Sequence, residues 1–449
     1  MALKVYNTLK REKEEFKPLK DKKINLFVCG PTVYDYSHIG HAKTYLQFDI
    51  IIKYLRYKKY KVFYLQNITD IDDKIIKRAK ELNITFDKLA KEYEKYYYED
   101  MNSLKVNSVD KYARATDYIK DIVSQVERLV KKGYAYKISD GYYFDLKKFS
   151  DYGKLSGRTT LGEEDAVSRI DENSEKKNKG DFCLWKFSKA DEPSWDTKLG
   201  KGRPGWHIED TAITEHFFGP QYDIHGGAKD LIFPHHEAEI AQMESISGKK
   251  PLVRYWLHTG FLNVKGQKMS KSLGNFFTIR DILKKYSANA LRFLFIQTHY
   301  RSAIDFSENS LESAKNSLER LNDFMLKTKT GKDNMPDSYL KKIKDDFLNA
   351  MDDDFDTPKA LAVIFNLVKE ANIKGGGKKV HKLMLEFDEI LNIFEKEIKI
   401  PKEIQLLAQE REKARKNKDF KKSDILRDEI KEKGYVIEDS GKGVLIKKI

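Results

Sequence analysis

Two histidines, three residues apart, follow a short apolar segment near the start of the chain. Residues 24–28 are apolar and β-prone, a Cys-Gly-Pro turn follows, and a helical pattern begins at His38 and His41. A helix start presents unpaired backbone N–H groups and a partial positive charge, which suit a phosphate. Both rings share a helix face, and Gly40 between them leaves room for a base or sugar. The pattern indicates a phosphate-binding turn, with a surface turn carrying two solvated histidines as the alternative.

A second candidate for phosphate binding lies far along the chain, in Lys-Met-Ser-Lys-Ser at residues 268–272. We expect a loop here, because Gly266 and Gly274 flank the segment. Lys268 and Lys271 can clamp a polyphosphate as point charges. Taken alone, two such lysines are more often a solvated charge run.

The elements that must position these residues follow an α/β pattern. Residues 20–110 alternate short apolar strands with helical patterns, which predicts parallel pairing. Such sheets bind ligands at the carboxyl ends of their strands, and Cys29, Gly30 and Thr69 fall at such ends together with the two histidines. Because no GxGxxG occurs here, a dinucleotide-binding fold of the usual kind is not supported.

The middle of the chain contains a candidate metal-binding pair. Residues 116–200 read as an insertion, after which a strand at residues 222–225 turns at Gly226-Gly227 and a helix opens at Pro234. On that helix His235 and Glu239 share a face and can offer one nitrogen and one oxygen to a metal. An ordinary exposed pair is the alternative.

The remainder of the chain is predicted to be mainly helical. Three-four spacing of apolar residues over 311–325 and two further helical patterns predict a bundle. After Pro401, two charged helices and a hairpin predict a small α+β unit.

The composition favours a soluble protein with a polyanionic partner. The 449 residues allow several domains, and 84 basic against 70 acidic side chains give a net charge of +14, which suits RNA. A lysine-rich genome is the alternative explanation. The two cysteines indicate a reducing compartment, and no apolar run reaches the roughly 20 residues of a membrane helix, so we expect a cytoplasmic protein.

The histidine and lysine motifs together resemble the two signature sequences of class I aminoacyl-tRNA synthetases. Three further segments narrow the resemblance to the cysteinyl-tRNA synthetase family, nearly from end to end: Tyr-Leu-Gln-Asn-Ile-Thr-Asp-Ile-Asp-Asp-Lys at 64–74, Gly-Arg-Pro-Gly-Trp-His-Ile-Glu at 202–209 and Phe-Pro-His-His-Glu at 233–237. The resemblance implies a Rossmann-like catalytic domain with a parallel sheet and an insertion, then a helical bundle and a C-terminal α+β unit. The expected boundaries are 1–115 and 201–265 for the two catalytic halves, 116–200 for the insertion, 266–308 for the lysine loop and stem-contact segment, 309–398 for the bundle, and 399–449 for the anticodon-binding unit.

The implied activity is that of a cysteine–tRNA ligase. Cysteine and ATP give cysteinyl-adenylate and pyrophosphate, and the cysteinyl group then passes to the terminal ribose of tRNA. His38, Gly40 and His41 would bind ATP, and Lys268 and Lys271 would close over the pyrophosphate, with Mg²⁺ sharing the charge.

The resemblance also implies the residues that bind cysteine. Gly30, Thr69, Trp206 and Asp230 would line the amino-acid pocket, with Asp230 facing the ammonium group. We expect the protein to act as a monomer.

One expected ligand of the family's zinc differs in this chain. The family holds one zinc ion with two cysteines, a histidine and a glutamate, and Cys29, His235 and Glu239 match three of these. Asp210 stands at the fourth position. Aspartate can ligate zinc and keeps the summed ligand charge at −3. We therefore expect one zinc ion, with weaker zinc, a different metal or no metal as alternatives.

Two other functions compete with this interpretation. A related enzyme class passes activated cysteine to an amino sugar, but its members lack the full C-terminal region that this chain has. A tRNA-binding protein without activation activity would not need the histidines and lysines of the phosphate site.

Overall fold

The chain divides into two compact units, Met1–Ile393 and Phe394–Ile449, and each is treated separately. A computed structural model describes residues 2–158, 173–269, 274–395, 401–440 and 443–448. The strands of the first unit are β1 (Lys4–Asn7), β2 (Glu12–Glu15), β3 (Lys23–Val28), β4 (Lys61–Ile68), β5 (Lys111–Arg114), β6 (Ala135–Ile138), β7 (Gly141–Phe144), β8 (Phe182–Phe187), β9 (Gly202–Pro204), β10 (Tyr222–Ala228), β11 (Val253–Thr259), β12 (Leu262–Val264), β13 (Gln267–Lys268) and β14 (Ile304–Phe306). Its helices are α1 (Ile39–Tyr57), α2 (Asp73–Glu81), α3 (Phe86–Ser103), α4 (Ile119–Lys131), α5 (Ile208–Phe218), α6 (Glu237–Ser247), α7 (Ile279–Leu283), α8 (Ala288–Ile296), α9 (Glu308–Thr330), α10 (Asp337–Asp352), α11 (Thr357–Lys374) and α12 (Lys378–Leu391).

A five-stranded parallel sheet in the order β11–β10–β3–β4–β5 forms the centre of the first unit. The chain runs outward from β3 through β4 to β5 on one side of the sheet and from β10 to β11 on the other. The direction in which successive strands are added therefore reverses between β3 and β10. Open α/β sheets bind ligands in the crevice at such a reversal. In β3, Ile24, Leu26, Phe27 and Val28 are fully buried, as expected for a parallel sheet that is covered on both faces.

The predicted turn at Gly226-Gly227 is wrong, because both glycines lie inside β10. Their role is to let other elements approach the strand. A Cβ atom on Gly226 would lie 2.3 Å from the Phe48 ring of α1, and one on Gly227 would lie 2.9 Å from the His236 ring. The absence of side chains therefore brings α1 and the segment before α6 close to the sheet.

The predicted helix start at Pro234 is also wrong, since α6 begins at Glu237. A π-helical turn, Ile232–His236, precedes it, and Phe233 within that turn has an extended backbone conformation. His235 therefore lies before the regular helix rather than on it. The turn nevertheless brings its Nε2 atom within 3.3 Å of Glu239 Oε1.

An antiparallel sheet, β6–β7–β8–β9, is inserted between β5 and β10. It packs with α4 and α5 in one buried cluster that includes Trp185, Ile122 and Ile213. The predicted α/β class, with a parallel sheet, an insertion and a helical C-terminal region, is confirmed.

A short connection joins the sheet to the region of the second motif. Gly260, which follows β11, donates its N–H to the carbonyl oxygen of Tyr300 at 2.8 Å. Tyr300 is buried, and its hydroxyl donates to the buried carboxylate of Asp354 at 2.9 Å. These bonds hold the segment before β14 against the end of β11 and against the turn between α10 and α11.

The second unit contains α13 (Lys402–Lys416), α14 (Phe420–Glu432) and the antiparallel pair β15 (Tyr435–Ser440) and β16 (Gly443–Lys448). Ile404, Ile430 and Ile437 form its small core. Across the described ranges of both units, no helix has the length and apolarity that crossing a membrane requires.

Candidate functional site

A pocket of about 360 Å³ opens at the carboxyl ends of β3, β4 and β10. Residues predicted from three separate parts of the sequence line it: Cys29, Gly30, His38, Gly40, His41, Thr69, Trp206, Asp210, Asp230 and His235. Glu239 is fully buried and is not part of the lining. The turns after the central strands thus bring almost the whole predicted set into one cavity.

The two histidines of the first motif are held by the start of α1. His38 is the N-cap residue, and its Nδ1 accepts hydrogen bonds from the N–H groups of Gly40 at 3.1 Å and His41 at 3.4 Å. His41 Nδ1 accepts from the N–H of His38 at 3.4 Å, and the rings stack with centroids 3.8 Å apart. Because Nδ1 accepts a hydrogen bond in each ring, Nε2 carries the proton. Burial lowers the pKa of His41 well below its usual value, with His38 and Lys74 adding to the shift. The pair therefore offers N–H donors next to a helix N-terminus.

The second motif adjoins the same pocket. Lys268 ends β13, which pairs with β12, so this lysine lies in a strand and not in the predicted loop. Lys271 and the side chain of Lys268 lie outside the described residues. Met269 and Phe276, on either side of 270–273, both line the pocket. Beyond Phe276, the backbone pairs with the first motif: Ile39 N–H donates to Phe277 O at 3.1 Å, and Ile279 N–H donates to Ser37 O at 2.9 Å.

The four predicted metal ligands converge at the base of the pocket. One donor atom from each of Cys29, Asp210, His235 and Glu239 lies within 4.8 Å of all the others, and all four residues are buried. His235 Nε2 lies 3.0 Å from Asp210 Oδ2. Both carboxylate oxygens of Glu239 and Oδ1 of Asp210 are buried and have no hydrogen-bond partner among the described residues. Unpartnered buried carboxylate oxygens are costly unless a cation is bound, so these residues fit a metal ion.

The protonation of this cluster agrees with such a role. Burial raises the pKa of the Cys29 thiol, and Asp210 and Glu239 add to the shift. Burial and Asp210 raise the pKa of Glu239 well above its usual value. These shifts favour the protonated thiol and carboxyl when no cation is bound, and a dication that displaces the protons would restore the thiolate and carboxylate that zinc prefers.

The predicted cysteine-binding residues surround the cluster. The Trp206 indole is 41% exposed and stacks on His235 with centroids 4.3 Å apart. Thr69 is buried and donates its hydroxyl to Glu209 at 2.9 Å. Asp230 lies after β10 and is exposed at the pocket. The Trp206 ring thus lies directly on a residue of the cluster, the Thr69 hydroxyl is bonded to Glu209, and the Asp230 carboxylate is exposed at the pocket.

Sequence reasoning missed three buried groups next to the site. His225 and His236 approach Cys29 from behind the pocket, at 3.3 and 3.2 Å from its sulfur. His236 lies in the Phe-Pro-His-His-Glu segment at 233–237, whereas no pattern in the sequence singled out His225. Lys43 lines the pocket, is 1% exposed and donates to Gly260 O at 2.6 Å. Burial lowers the pKa of Lys43 to about 7, and Lys229 adds to the shift.

Comparison with protein families gives three matches along the chain. Residues 15–316 match the class I (C) tRNA synthetase catalytic domain. Residues 346–396 match a DALR domain, and residues 399–445 match the cysteinyl-tRNA ligase anticodon-binding domain. The catalytic match alone covers more than half of the chain.

Individual relatives match over nearly the full length. The chain is 48% identical to the cysteine–tRNA ligase of Thermoplasma volcanium over 446 residues, which cover 97% of this chain and 98% of the relative. It is 44% identical to the cysteine–tRNA ligase of Thermococcus onnurineus over 476 residues and 46% identical to that of Pyrococcus horikoshii over 476 residues, with complete coverage of both chains in each case.

Solved structures show the same fold at low sequence identity. Mycobacterium tuberculosis methionyl-tRNA synthetase in complex with methionyl-adenylate matches with a TM-score of 0.62 and 16% identity, covering 83% of this chain and 88% of that one. A leucyl-tRNA synthetase ternary complex from Agrobacterium radiobacter K84 matches with a TM-score of 0.61 and 11% identity, covering 84% and 83%.

Proposed function

The chain belongs to the cysteine–tRNA ligase family of class I aminoacyl-tRNA synthetases, and we propose that its pocket activates L-cysteine with ATP and transfers it to the 3′-terminal ribose of tRNA(Cys). The observation that carries this proposal is the meeting of two motifs in one cavity. The histidine pair at the start of α1 and the cluster around Cys29 both line the same 360 Å³ pocket. The histidine pair supplies hydrogen-bond donors for phosphate, and the cluster around Cys29 supplies a binding site for a thiol.

The phosphates of ATP are assigned to the N-terminus of α1. The Nε2–H groups of His38 and His41, the helix N-terminus and the open backbone at Gly40 can all stabilise charge on phosphate oxygens. Attack by the cysteine carboxylate on the α-phosphate needs no covalent group from the protein, because this chemistry depends on positioning and charge stabilisation. Lys268 and Lys271 are proposed to hold the leaving pyrophosphate together with Mg²⁺.

The amino acid is assigned to the other part of the pocket. The exposed carboxylate of Asp230 can accept hydrogen bonds from the ammonium group, and Trp206 provides an apolar wall over His235. Gly30 lies against β4, where its N–H donates to Asn67 Oδ1 at 2.5 Å. Thr69 completes this wall.

Cys29, Asp210, His235 and Glu239 would hold zinc at the base of the pocket. When bound, zinc supplies a soft electrophilic centre that binds a thiolate far better than a hydroxyl, and so separates cysteine from serine. The chain's own contribution is to bury the four donors and to leave Cys29, Asp210 and His235 facing the cavity.

The acceptor is proposed to be tRNA rather than an amino sugar. The matches at 346–396 and 399–445 add the domains that a tRNA ligase uses to hold its second substrate. The net charge of +14 also suits this polyanion. We further propose a monomer, acting in the cytoplasm.

Pyrophosphate exchange tests this assignment directly. Cysteine-dependent ATP–pyrophosphate exchange should occur in the wild type and fall about 10²-fold or more in His41→Ala, since single donors to developing charge are worth about that much. His216→Ala is the matched control, because His216 is 48% exposed on α5 and should leave the rate unchanged.

Acceptor assays distinguish the competing functions. Charging of tRNA(Cys) without transfer to amino sugars supports the proposal. Exchange with transfer only to an amino sugar would overturn the acceptor, and absence of exchange in the wild type would overturn activation.

A further inference from the structure

The Cys29 thiol and the Glu239 carboxylate face two further histidines on the side away from the pocket. Cys29 Sγ lies 3.3 Å from His225 Nε2 and 3.2 Å from His236 Nε2. Glu239 Oε2 lies 3.5 Å from His225 Nδ1, and Oε1 lies 4.0 Å from His236 Nε2. One donor atom from each of these four residues lies within 4.8 Å of all the others. We call this group the inner set, and the group of Cys29, Asp210, His235 and Glu239 the outer set. The two sets share the Cys29 sulfur and the Glu239 carboxylate.

The histidines of this inner set are oriented as metal ligands are. The distal nitrogen of each ring is already engaged: His225 Nδ1 lies 2.6 Å from the Tyr222 hydroxyl, and His236 Nδ1 lies 2.9 Å from His258 Nε2. Histidines that ligate metals use one nitrogen for the metal and the other for a supporting hydrogen bond, which fixes the ring. In both rings the nitrogen that faces Cys29 is the one left for a metal.

The shared carboxylate gives a second and independent indication. Glu239 is fully buried, and within the part of the chain that the structure describes neither of its oxygens has a hydrogen-bond partner. Oε1 lies 3.3 Å from His235 Nε2 and 4.0 Å from His236 Nε2. This oxygen therefore lies near a histidine of each set, so that one carboxylate can serve either set.

The two sets differ in their access to the substrate. Cys29, Asp210 and His235 line the pocket, whereas His225 and His236 are 0% exposed and do not. A metal held by the outer set faces the cavity and can accept a further ligand. A metal held by the inner set would have four protein donors and a closed surrounding, as in structural zinc sites.

We propose that Cys29, His225, His236 and Glu239 form an inner zinc position that overlaps the outer one and holds the ion in the absence of cysteine. The outer set offers only one imidazole and relies on Asp210, a harder donor, whereas the inner set offers two imidazoles, which suit zinc. Cysteine binding then draws the ion to the outer position, where its thiolate is an added donor. This inference rests on the proposed role of zinc in the pocket.

X-ray absorption on the zinc-loaded full chain without cysteine tests the inner position, because it counts imidazole ligands. The wild type should show two imidazoles per zinc, and L-cysteine, but not L-serine, should reduce the count to one. His225→Gln should keep one zinc per chain but show one imidazole. Asp210→Asn should keep one zinc with two imidazoles, and His216→Gln, at an exposed site, should match the wild type.

Other results would overturn the inner position in distinguishable ways. One imidazole in the wild type, unchanged in His225→Gln, together with loss of zinc from Asp210→Asn, would place the ion only in the outer set and leave the proposed function intact. Zinc missing from the wild type and from Asp210→Asn alike would overturn the metal site of the proposed function and the inner position with it.

Discussion

Replacing Gly30 by alanine should disable the pocket while leaving the chain folded. A Cβ atom at Gly30 would lie 1.7 Å from the carbonyl oxygen of Asn67 and 2.8 Å from its carbonyl carbon, both backbone atoms at the end of β4. To reach even a 3.0 Å contact, the ends of β3 and β4 must separate by about 1.3 Å. Because Cys29 is the preceding residue, the same movement displaces the thiol from the other metal ligands.

The expected size of this effect follows from the displacement. A misplacement of about 1 Å at a reacting centre can cost about 10²-fold in rate, and forced overpacking costs about 1–3 kcal/mol in stability. Cysteine-dependent ATP–pyrophosphate exchange should therefore fall about 100-fold in kcat/KM, with zinc content reduced. Circular dichroism should still show a cooperative thermal transition.

A second glycine provides the control. Gly133 has a φ of +77° after α4, and a Cβ atom there would contact nothing within 4 Å. Gly133→Ala should cost about 1 kcal/mol, from the left-handed backbone alone, and leave exchange unchanged. Exchange by Gly30→Ala within threefold of the wild type would refute the argument that the fit between β3 and β4 positions Cys29.

Two further predictions concern buried charges. Asp70 accepts hydrogen bonds from the Thr116 N–H and hydroxyl. Burial nevertheless raises the pKa of Asp70 to about 6, so the folded state favours the protonated carboxyl. The stability that this proton contributes is therefore lost as the pH rises from 4 through 6. In urea unfolding, Asp70→Asn should therefore be more stable than the wild type at pH 8 by up to about 3 kcal/mol, and the difference should vanish near pH 4. Equal stability of the two proteins at both pH values would contradict this prediction. Arg292 and Asp49 form a fully buried ion pair at 2.8 Å. Arg292→Met should lower the unfolding free energy by about 3 kcal/mol, because among the described residues only Lys53 would remain as a cation beside Asp49. A loss below about 1 kcal/mol would show that Lys53 suffices.

Much of the fold could be predicted from local patterns. The apolar segment at 24–28 lies within β3, and the alternation of strands and helical patterns over 20–110 is visible in neighbouring residues, which is why the α/β class could be predicted. The errors at Gly226-Gly227 and Pro234 have another origin. Glycines usually mark turns, but here they admit Phe48 and His236 from elements that are distant in sequence. Local propensity contains no information on such approaches.

Local sequence patterns likewise predicted only part of the candidate site. His38 and His41 could be placed from spacing alone, since one helical turn brings them together. The convergence of Cys29 with Asp210 and Glu239 depends on the end of β3 and the first turns of α5 and α6, and it was predicted only through a family resemblance. His225 was missed because a single histidine within an apolar strand looks like an ordinary core residue until the sheet places it beside the Cys29 sulfur.

The most direct test of this account is the zinc content of protein purified without chelator, measured together with cysteine- and serine-dependent ATP–pyrophosphate exchange. Wild type and Asp210→Cys should be compared. We expect one zinc per chain in both proteins, exchange with cysteine, and background exchange with serine. A wild type that contains no zinc and yet selects cysteine would contradict it, because selection would then have to rest on the shape of the pocket alone.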